Sequence, residues 1–98
     1  MSRIAFPPEA VGDFDRIVDH LVGHEVDDAR GRIQDIVSAV DVLERSPLIG
    51  HPAEGGKREL VIGRGSRGYI ALYRRVVEID TVFILAVRSQ REAGYARP

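Results

Sequence analysis

The sequence of 98 residues contains no cysteine, which excludes disulfide bonds, thiolate catalysis and zinc–thiolate sites. It also lacks a long apolar run, since the longest uninterrupted one, Val82–Val87, is too short to cross a bilayer. The segment Met1–Pro8 has none of the apolar character of a signal peptide. These absences predict a cytoplasmic protein that does not contact a membrane.

A general excess of basic residues is missing as well. The net charge is −1 and the isoelectric point is near 6.3, whereas proteins that bind duplex DNA without sequence preference usually carry a strong positive charge. The charge is nevertheless unevenly distributed along the chain. The net charge is −6 over residues 1–56 and +5 over residues 57–98. The basic half predicts an anionic partner, either nucleic acid or an acidic stretch of protein.

The composition is that of a soluble globular chain. Apolar residues make up 44% and charged residues 30% of the sequence, which is too apolar for a disordered chain. At this length one modest hydrophobic core can form. A single domain is therefore expected to span residues 1–98.

The acidic half predicts one short strand followed by two helices. Residues 3–6 alternate between polar and apolar, and Pro7–Pro8 ends the strand. A first helix runs from Glu9 to Gly23, with an apolar stripe at Val11, Phe14, Ile17, Val18, Leu21 and Val22. A second helix runs from Asp27–Asp28 to Ser46–Pro47, with its stripe at Ala29, Ile33, Ile36, Val37, Val40 and Leu43. The short connection between them predicts an antiparallel helical hairpin.

The basic half predicts three strands. A loop at Leu48–Gly56 precedes strands at Arg58–Ile62, Tyr69–Val77 and Thr81–Ser89. The third strand is apolar on both faces, as in a strand that is covered on both sides. The expected fold is α+β: a strand, a helical hairpin and a three-stranded antiparallel meander, which together give a four-stranded sheet packed on two helices.

After the last strand, Ser89-Gln90-Arg91-Glu92 has the spacing of a capping box. A short helical turn at this point would carry Tyr95 near the arginines of the last strand. There the ring could stack on a base or polarise a ribose 2′-hydroxyl. Alternatively, it could fold back as an anchor on the sheet.

The segment 63–68 reads G-x-G-x-x-G, the pattern of dinucleotide-binding loops. Such a loop must connect a strand to a helix, so that the helix N-terminus meets the pyrophosphate. Here strands are predicted on both sides, which favours a flexible hairpin loop. Exposed amides together with Arg64 and Arg67 could still form an anion-binding nest, but no cofactor is expected.

The three histidines suggest two kinds of site. His20 and His24 are four residues apart on the first predicted helix, a spacing that could hold zinc. Apart from Glu25 or Asp27 no third ligand is evident, so we interpret them as surface histidines and predict no metal. His51, in the loop before the basic half, could act as a general base or be an ordinary loop residue.

The strongest functional signal is the arginine content of the predicted strands. Arginine binds phosphate or carboxylate with a planar, two-pronged group. Several of these residues could instead be solvated or pair with Glu59, Glu78 or Asp80. The predicted binding surface for a partner or target comprises Lys57, Arg58, Tyr69, Tyr73, Arg74, Arg75, Arg88 and Arg91.

Taken together, the element order and three strand segments resemble the RelE/ParE toxins of bacterial type II toxin–antitoxin systems. The segments are 58–61 (RELV), 69–74 (YIALYR) and 84–88 (ILAVR), with a tail that contains Arg91 and Tyr95. This resemblance covers the chain from residue 4 to residue 95. It implies a small cytoplasmic toxin and a cognate antitoxin that folds as it wraps the sheet and the helical hairpin.

The resemblance also implies one of two targets. One branch of the superfamily cleaves mRNA on the ribosome without a metal, using scattered basic residues and a C-terminal tyrosine; the corresponding candidates here are Arg58, Arg64, Arg67, Arg88, Arg91 and Tyr95. The other branch poisons DNA gyrase and provides no catalytic set to transfer. Ser89 occupies a position where the ribosomal branch has arginine, and the long helical hairpin is similar to the gyrase branch, so gyrase is the favoured target. A non-toxic peptide-binding module is the remaining alternative.

Overall fold

The computed structural model describes residues 1–24, 28–63, 68–92 and 94–95. Its helices and strands are β1 (Arg3–Ala5), α1 (Pro8–Gly23), α2 (Ala29–Val40), β2 (His51–Pro52), β3 (Arg58–Ile62), β4 (Tyr69–Val76) and β5 (Thr81–Ser89). The predicted α+β class and the order of the main elements are confirmed. Across the described ranges, none of the helices combines the length and the apolar character needed to cross a membrane.

The sheet has five strands in the order β1-β5-β4-β3-β2, one more than predicted. β1 pairs parallel to β5, and the remaining pairs are antiparallel. The additional strand, β2, lies in the segment that was predicted to be a loop, where His51 pairs with Glu59 and Pro52 with Arg58. A strand of two residues has no alternating pattern to detect, and proline is tolerated here because β2 lies at the edge of the sheet.

The buried face of α1 is rotated relative to the predicted stripe. Val11 and Val22 are 46% and 62% exposed, so their assignment to the core was wrong. The buried positions are instead Ala10, Asp13, Ile17 and Leu21. The helical period was correct, but a carboxylate occupies one of its buried positions. Burial of Asp13 is tolerated because its side chain accepts a hydrogen bond from the backbone of β5.

The second helix begins where its acidic start was predicted. Asp28 adopts a left-handed backbone conformation (φ 60°), and its side chain accepts a hydrogen bond from the amide of Gly31 at 3.1 Å. Asp27 and the connection through Val26 lie outside the described residues. α2 ends at Val40, earlier than predicted, and a 3₁₀ turn at Asp41–Glu44 continues the chain. That turn buries Leu43 completely, so the predicted apolar stripe is preserved.

The core lies between the two helices and one face of the sheet. The largest fully buried side chains include Tyr73, Ile84 and Val87 from the strands and Ile36 from α2. The hydroxyl of Tyr73 accepts a hydrogen bond from the amide of Gly50 at 2.9 Å. A Cβ at position 50 would lie 2.7 Å from the Tyr73 ring, so only glycine allows the chain to pass this close to the core.

The β4–β5 turn holds the N-terminus. Asp80 adopts a left-handed conformation (φ 46°), its carbonyl accepts from the amide of Arg3 at 2.9 Å, and its carboxylate accepts from the Ser2 hydroxyl at 2.7 Å. The Ser2 hydrogen bond, followed by the contact with Arg75 at 3.4 Å, lowers the pKa of the Asp80 carboxyl below its ordinary value. β1 is thereby fixed to the end of the hairpin with which it pairs.

We predict that Leu43→Ala lowers the free energy of unfolding by about 2–5 kcal/mol, since the substitution leaves a cavity in a packed core. Leu48→Ala is the matched control, because Leu48 is 57% exposed, and it should change stability by less than about 0.5 kcal/mol. Urea denaturation of the two variants gives both values. Equal losses would show that the 3₁₀ turn does not pack as described.

Candidate functional site

The helices cover only one face of the sheet, and the register defines which strand residues lie on the other. Tyr69, Ala71 and Tyr73 face the helices, as their burial shows. The alternate residues of β4 and their cross-strand partners point away from the helices. We call this surface the open face; it comprises Lys57, Glu59, Val61, Ile70, Leu72, Arg74, Phe83 and Arg88.

Two cations on the open face lie close together and are free of carboxylates. The guanidinium of Arg74 donates to the carbonyl of Gly55, and Gly55 also lies near the side chain of Lys57. Among the described residues, neither cation takes part in a salt bridge. Apolar side chains continue this surface, with Val61 half exposed and Ile70 and Leu72 partly buried. This part of the open face is apolar and carries unpaired positive charge.

The predicted arginines do not all gather there. Arg58 pairs with Tyr73 and so lies on the helix side, where its guanidinium donates to the carbonyls of Leu48 (3.1 Å) and Gly50 (2.8 Å). Arg75 contacts Asp80, the carboxylate suggested as its partner. Arg91 is exposed in the turn after β5. Arg64, Arg67 and most of the glycine-rich loop lie outside the described residues.

Two tyrosines of the predicted surface are in the core instead. Tyr69 is 7% exposed and Tyr73 is fully buried. The aromatic residues were grouped with the arginines because they alternate along the same strand. That alternation places Tyr73 and Arg74 on opposite faces, so neither buried ring is available to a partner that binds the folded surface.

The segment after β5 folds back over the open face. The Tyr95 hydroxyl donates to the Glu59 carboxylate on β3 at 2.5 Å, and the Arg88 guanidinium on β5 lies 5.2 Å from the centre of the Tyr95 ring. Since β4 separates β3 from β5 in the sheet, Tyr95 spans from one to the other. Tyr95 therefore folds back as an anchor on the sheet, the second of the two arrangements that the sequence suggested.

The environment of Tyr95 fixes its protonation state. Burial and the hydrogen bond to Glu59 raise the pKa of the Tyr95 hydroxyl well above its ordinary value, although Arg88 partly opposes this shift. The hydroxyl therefore keeps its proton at neutral pH and donates a hydrogen bond to the Glu59 carboxylate.

A polar clasp connects α1 to the backbone of β5 and to the turn that follows. We define the clasp as Asp13, Arg16 and Glu92. Asp13 accepts from the amide of Val87 at 2.9 Å, while Arg16 donates to the carbonyl of the same residue at 3.2 Å and forms an ion pair with Glu92. Glu92 in turn accepts from the amide of Ser89 at 2.8 Å.

The capping-box spacing correctly indicated the contact between Ser89 and Glu92, although the segment forms a turn and not a helix. The contribution of α1 was missed. Its only sequence signal is Asp13 itself, an acid three residues after Ala10 and four before Ile17, on the face that the helix buries.

The histidines lie apart from the open face. His20 and His24 are both exposed at the end of α1, with their ring centres 4.2 Å apart. His51 is exposed on β2. In the described ranges, no group of three or more potential metal ligands comes together.

Comparison with known proteins is consistent across sequence and structure. The profile of a family described as ParE toxin of type II toxin–antitoxin system, parDE, matches residues 4–94. The chromosomal ParDE toxin–antitoxin system from P. aeruginosa contains a chain of similar structure, with a TM-score of 0.74 and 28% sequence identity over 91% of this chain and 96% of the other.

A second solved structure, the RelBE toxin–antitoxin complex from Mycobacterium tuberculosis, matches with a TM-score of 0.56 and 27% identity. The match covers 91% of this chain and 98% of the other. No curated protein matches the chain significantly.

We predict that Tyr95 ionises above the ordinary tyrosine pKa of about 10. The difference between the tyrosinate absorbance titrations of the wild type and Tyr95→Phe isolates this residue from Tyr69 and Tyr73. Because the pKa of Tyr95 is raised in the folded state, its protonated hydroxyl contributes to the stability of the fold below about pH 10. This contribution is lost as the pH rises and the hydroxyl ionises.

Glu59→Gln tests the cause of this shift. Removing the carboxylate charge should lower the pKa of Tyr95 part of the way towards its ordinary value, since the burial remains. If Tyr95 titrates identically in wild type and Glu59→Gln, its hydroxyl is not held by Glu59.

Proposed function

The chain belongs to the ParE toxin family of type II toxin–antitoxin systems, within the RelE/ParE superfamily, and on that premise we propose that it inhibits growth by acting on DNA gyrase until a cognate antitoxin neutralises it. The observation that carries the proposal is the match of the ParE profile to residues 4–94. The ParDE structure, with the higher TM-score of the two relatives, supports the same branch.

The contacts of three nuclease candidates, Arg58, Arg88 and Tyr95, also favour gyrase over mRNA. Cleavage of RNA by attack of a 2′-hydroxyl requires groups that can take up a proton and stabilise charge on the phosphate. Tyr95 donates its proton to Glu59, while Arg58 and Arg88 donate to backbone carbonyls. These side chains serve structural contacts, and a toxin that binds its target without cleaving it does not need them for catalysis.

The open face provides a suitable surface for the antitoxin. Lys57 and Arg74 have no carboxylate partner within the described part of the chain, and they lie beside the apolar positions Val61, Ile70 and Leu72. A segment that folds on binding could cover the apolar positions and place acidic side chains on the two cations. We propose that the antitoxin presents an acidic, partly apolar segment to this face.

The proposed target predicts that the purified chain traps gyrase on supercoiled plasmid DNA or blocks its supercoiling activity. Translating ribosomes treated with the same protein should yield intact mRNA. Agarose-gel assays for gyrase and primer extension on the message make the two measurements. Cleavage of mRNA in the ribosomal A site, with gyrase unaffected, would establish the alternative, a ribosome-dependent endoribonuclease. If expression of the chain in cells has no effect on growth, the remaining alternative, a non-toxic module, is favoured.

For the antitoxin, the double variant Lys57→Glu/Arg74→Glu should bind on the order of 10-fold more weakly or worse, mainly through slower association, because both changes oppose an acidic partner. Surface plasmon resonance with the antitoxin encoded beside this chain gives the rates. Arg45→Glu is the control, an exposed charge reversal after the 3₁₀ turn and away from the open face. Equal loss in both variants would indicate a general charge effect instead of docking on this face.

A further inference from the structure

The end of α1 carries two imidazoles in an arrangement that the proposed function does not use. His20 lies in the last turn of α1 and His24 is the residue that follows the helix, and their ring planes are inclined by 35° with centres 4.2 Å apart. Both residues are exposed. Arg16, one turn before His20, is held by Glu92 and the Val87 carbonyl, so its guanidinium is directed to the sheet and away from the two rings.

The hydrogen bond of His24 determines which of its nitrogens is free. Nδ1 of His24 lies 2.9 Å from the backbone carbonyl oxygen of His20. A carbonyl oxygen can only accept, so Nδ1 carries the proton and the neutral ring has its lone pair on Nε2. Histidines that ligate metals commonly hold their second ring nitrogen in this way, since the contact fixes the tautomer and the ring orientation.

Although the sequence alone led us to expect no metal here, the geometry of the pair leads us to propose that His20 and His24 form a two-nitrogen chelating site for a divalent transition-metal ion. When two imidazole nitrogens bind one tetrahedral zinc ion at N–Zn distances of about 2.0–2.1 Å, the two nitrogens lie about 3.3 Å apart. The ring centres are 4.2 Å apart, and because both side chains are exposed, the rings have room to rotate until their nitrogens meet this separation. The exposure of both rings leaves the remaining coordination positions accessible to water.

The position of the site also suits a cation. The last turn of α1 directs its carbonyl groups, and therefore the negative end of the helix dipole, towards the pair. Neutral imidazole prefers Cu²⁺, Ni²⁺ and Zn²⁺ to Mg²⁺ or Ca²⁺, which prefer oxygen ligands. A bound ion would link the last turn of α1 to the residue that caps it and so stabilise the end of the helix.

The test uses the full chain without a histidine tag. Isothermal titration with Cu²⁺, Ni²⁺ and Zn²⁺ should show one ion per chain, with the tightest binding for Cu²⁺ as the general affinity order requires, and no binding of Mg²⁺. His20→Gln and His24→Gln should each weaken binding by at least about 10-fold, since each removes the chelate and leaves one imidazole. His51→Gln should bind as the wild type does.

A second readout identifies the ligands directly. In NMR spectra, substoichiometric Cu²⁺ should broaden the imidazole signals of His20 and His24 before that of His51. Unchanged affinity in either His20→Gln or His24→Gln, or broadening of all three histidines together, would overturn the proposal. Circular dichroism of each variant verifies folding, and no outcome depends on the cellular target.

Discussion

The structure depends on how the backbone of β5 is satisfied where β1 no longer covers it. β1 pairs with β5 only as far as Phe83, and further along the strand the amide and carbonyl of Val87 are bound by Asp13 and Arg16 of α1. Two side chains of a helix thus supply the donor and the acceptor that a longer edge strand would provide. An unpaired buried backbone group costs about 1–3 kcal/mol, which explains why a carboxylate is tolerated on the buried face of α1.

The same clasp determines where the C-terminal segment lies. Arg16 also holds Glu92, Glu92 caps the amide of Ser89, and its own carbonyl accepts from Arg88. From this turn the chain carries Tyr95 onto the open face, where Glu59 holds it. A connected series of polar contacts therefore extends from the first helix to the third strand, through residues far apart in sequence. The arrangement of the open face depends on α1, which lies on the opposite side of the sheet.

Much of the fold could be predicted because it follows from local periodicity. The strands at Arg58–Ile62 and Thr81–Ser89 occur at their predicted bounds, and the αα-hairpin order is correct. β2 could not be predicted, since its two residues are extended only by pairing with β3. The rotation of α1 was missed for a related reason: burial of Asp13 depends on the backbone of β5, a long-range partner that a hydrophobic pattern does not encode.

The candidate site was predictable only in composition. The sequence indicates that cations are concentrated in the strands, but register and pleat decide that Arg74 points outward while Arg58 points towards the helices. The contacts of a long side chain are also not encoded locally, because Arg58 donates hydrogen bonds to backbone carbonyls of the preceding loop. Such choices depend on the tertiary structure, and the alternatives could be separated only once the sheet order was known.

The pairing of β1 with β5 also constrains how the protein is synthesised. Arg3 of β1 pairs with Thr81 of β5, and every other strand of the sheet lies between them in the sequence. Contacts this distant in sequence cannot form until the last strand has been translated and released. A nascent chain that lacks β5 consequently has neither the complete sheet nor the complete open face. The sheet of this member of the toxin family is thus complete only after β5 has left the ribosome.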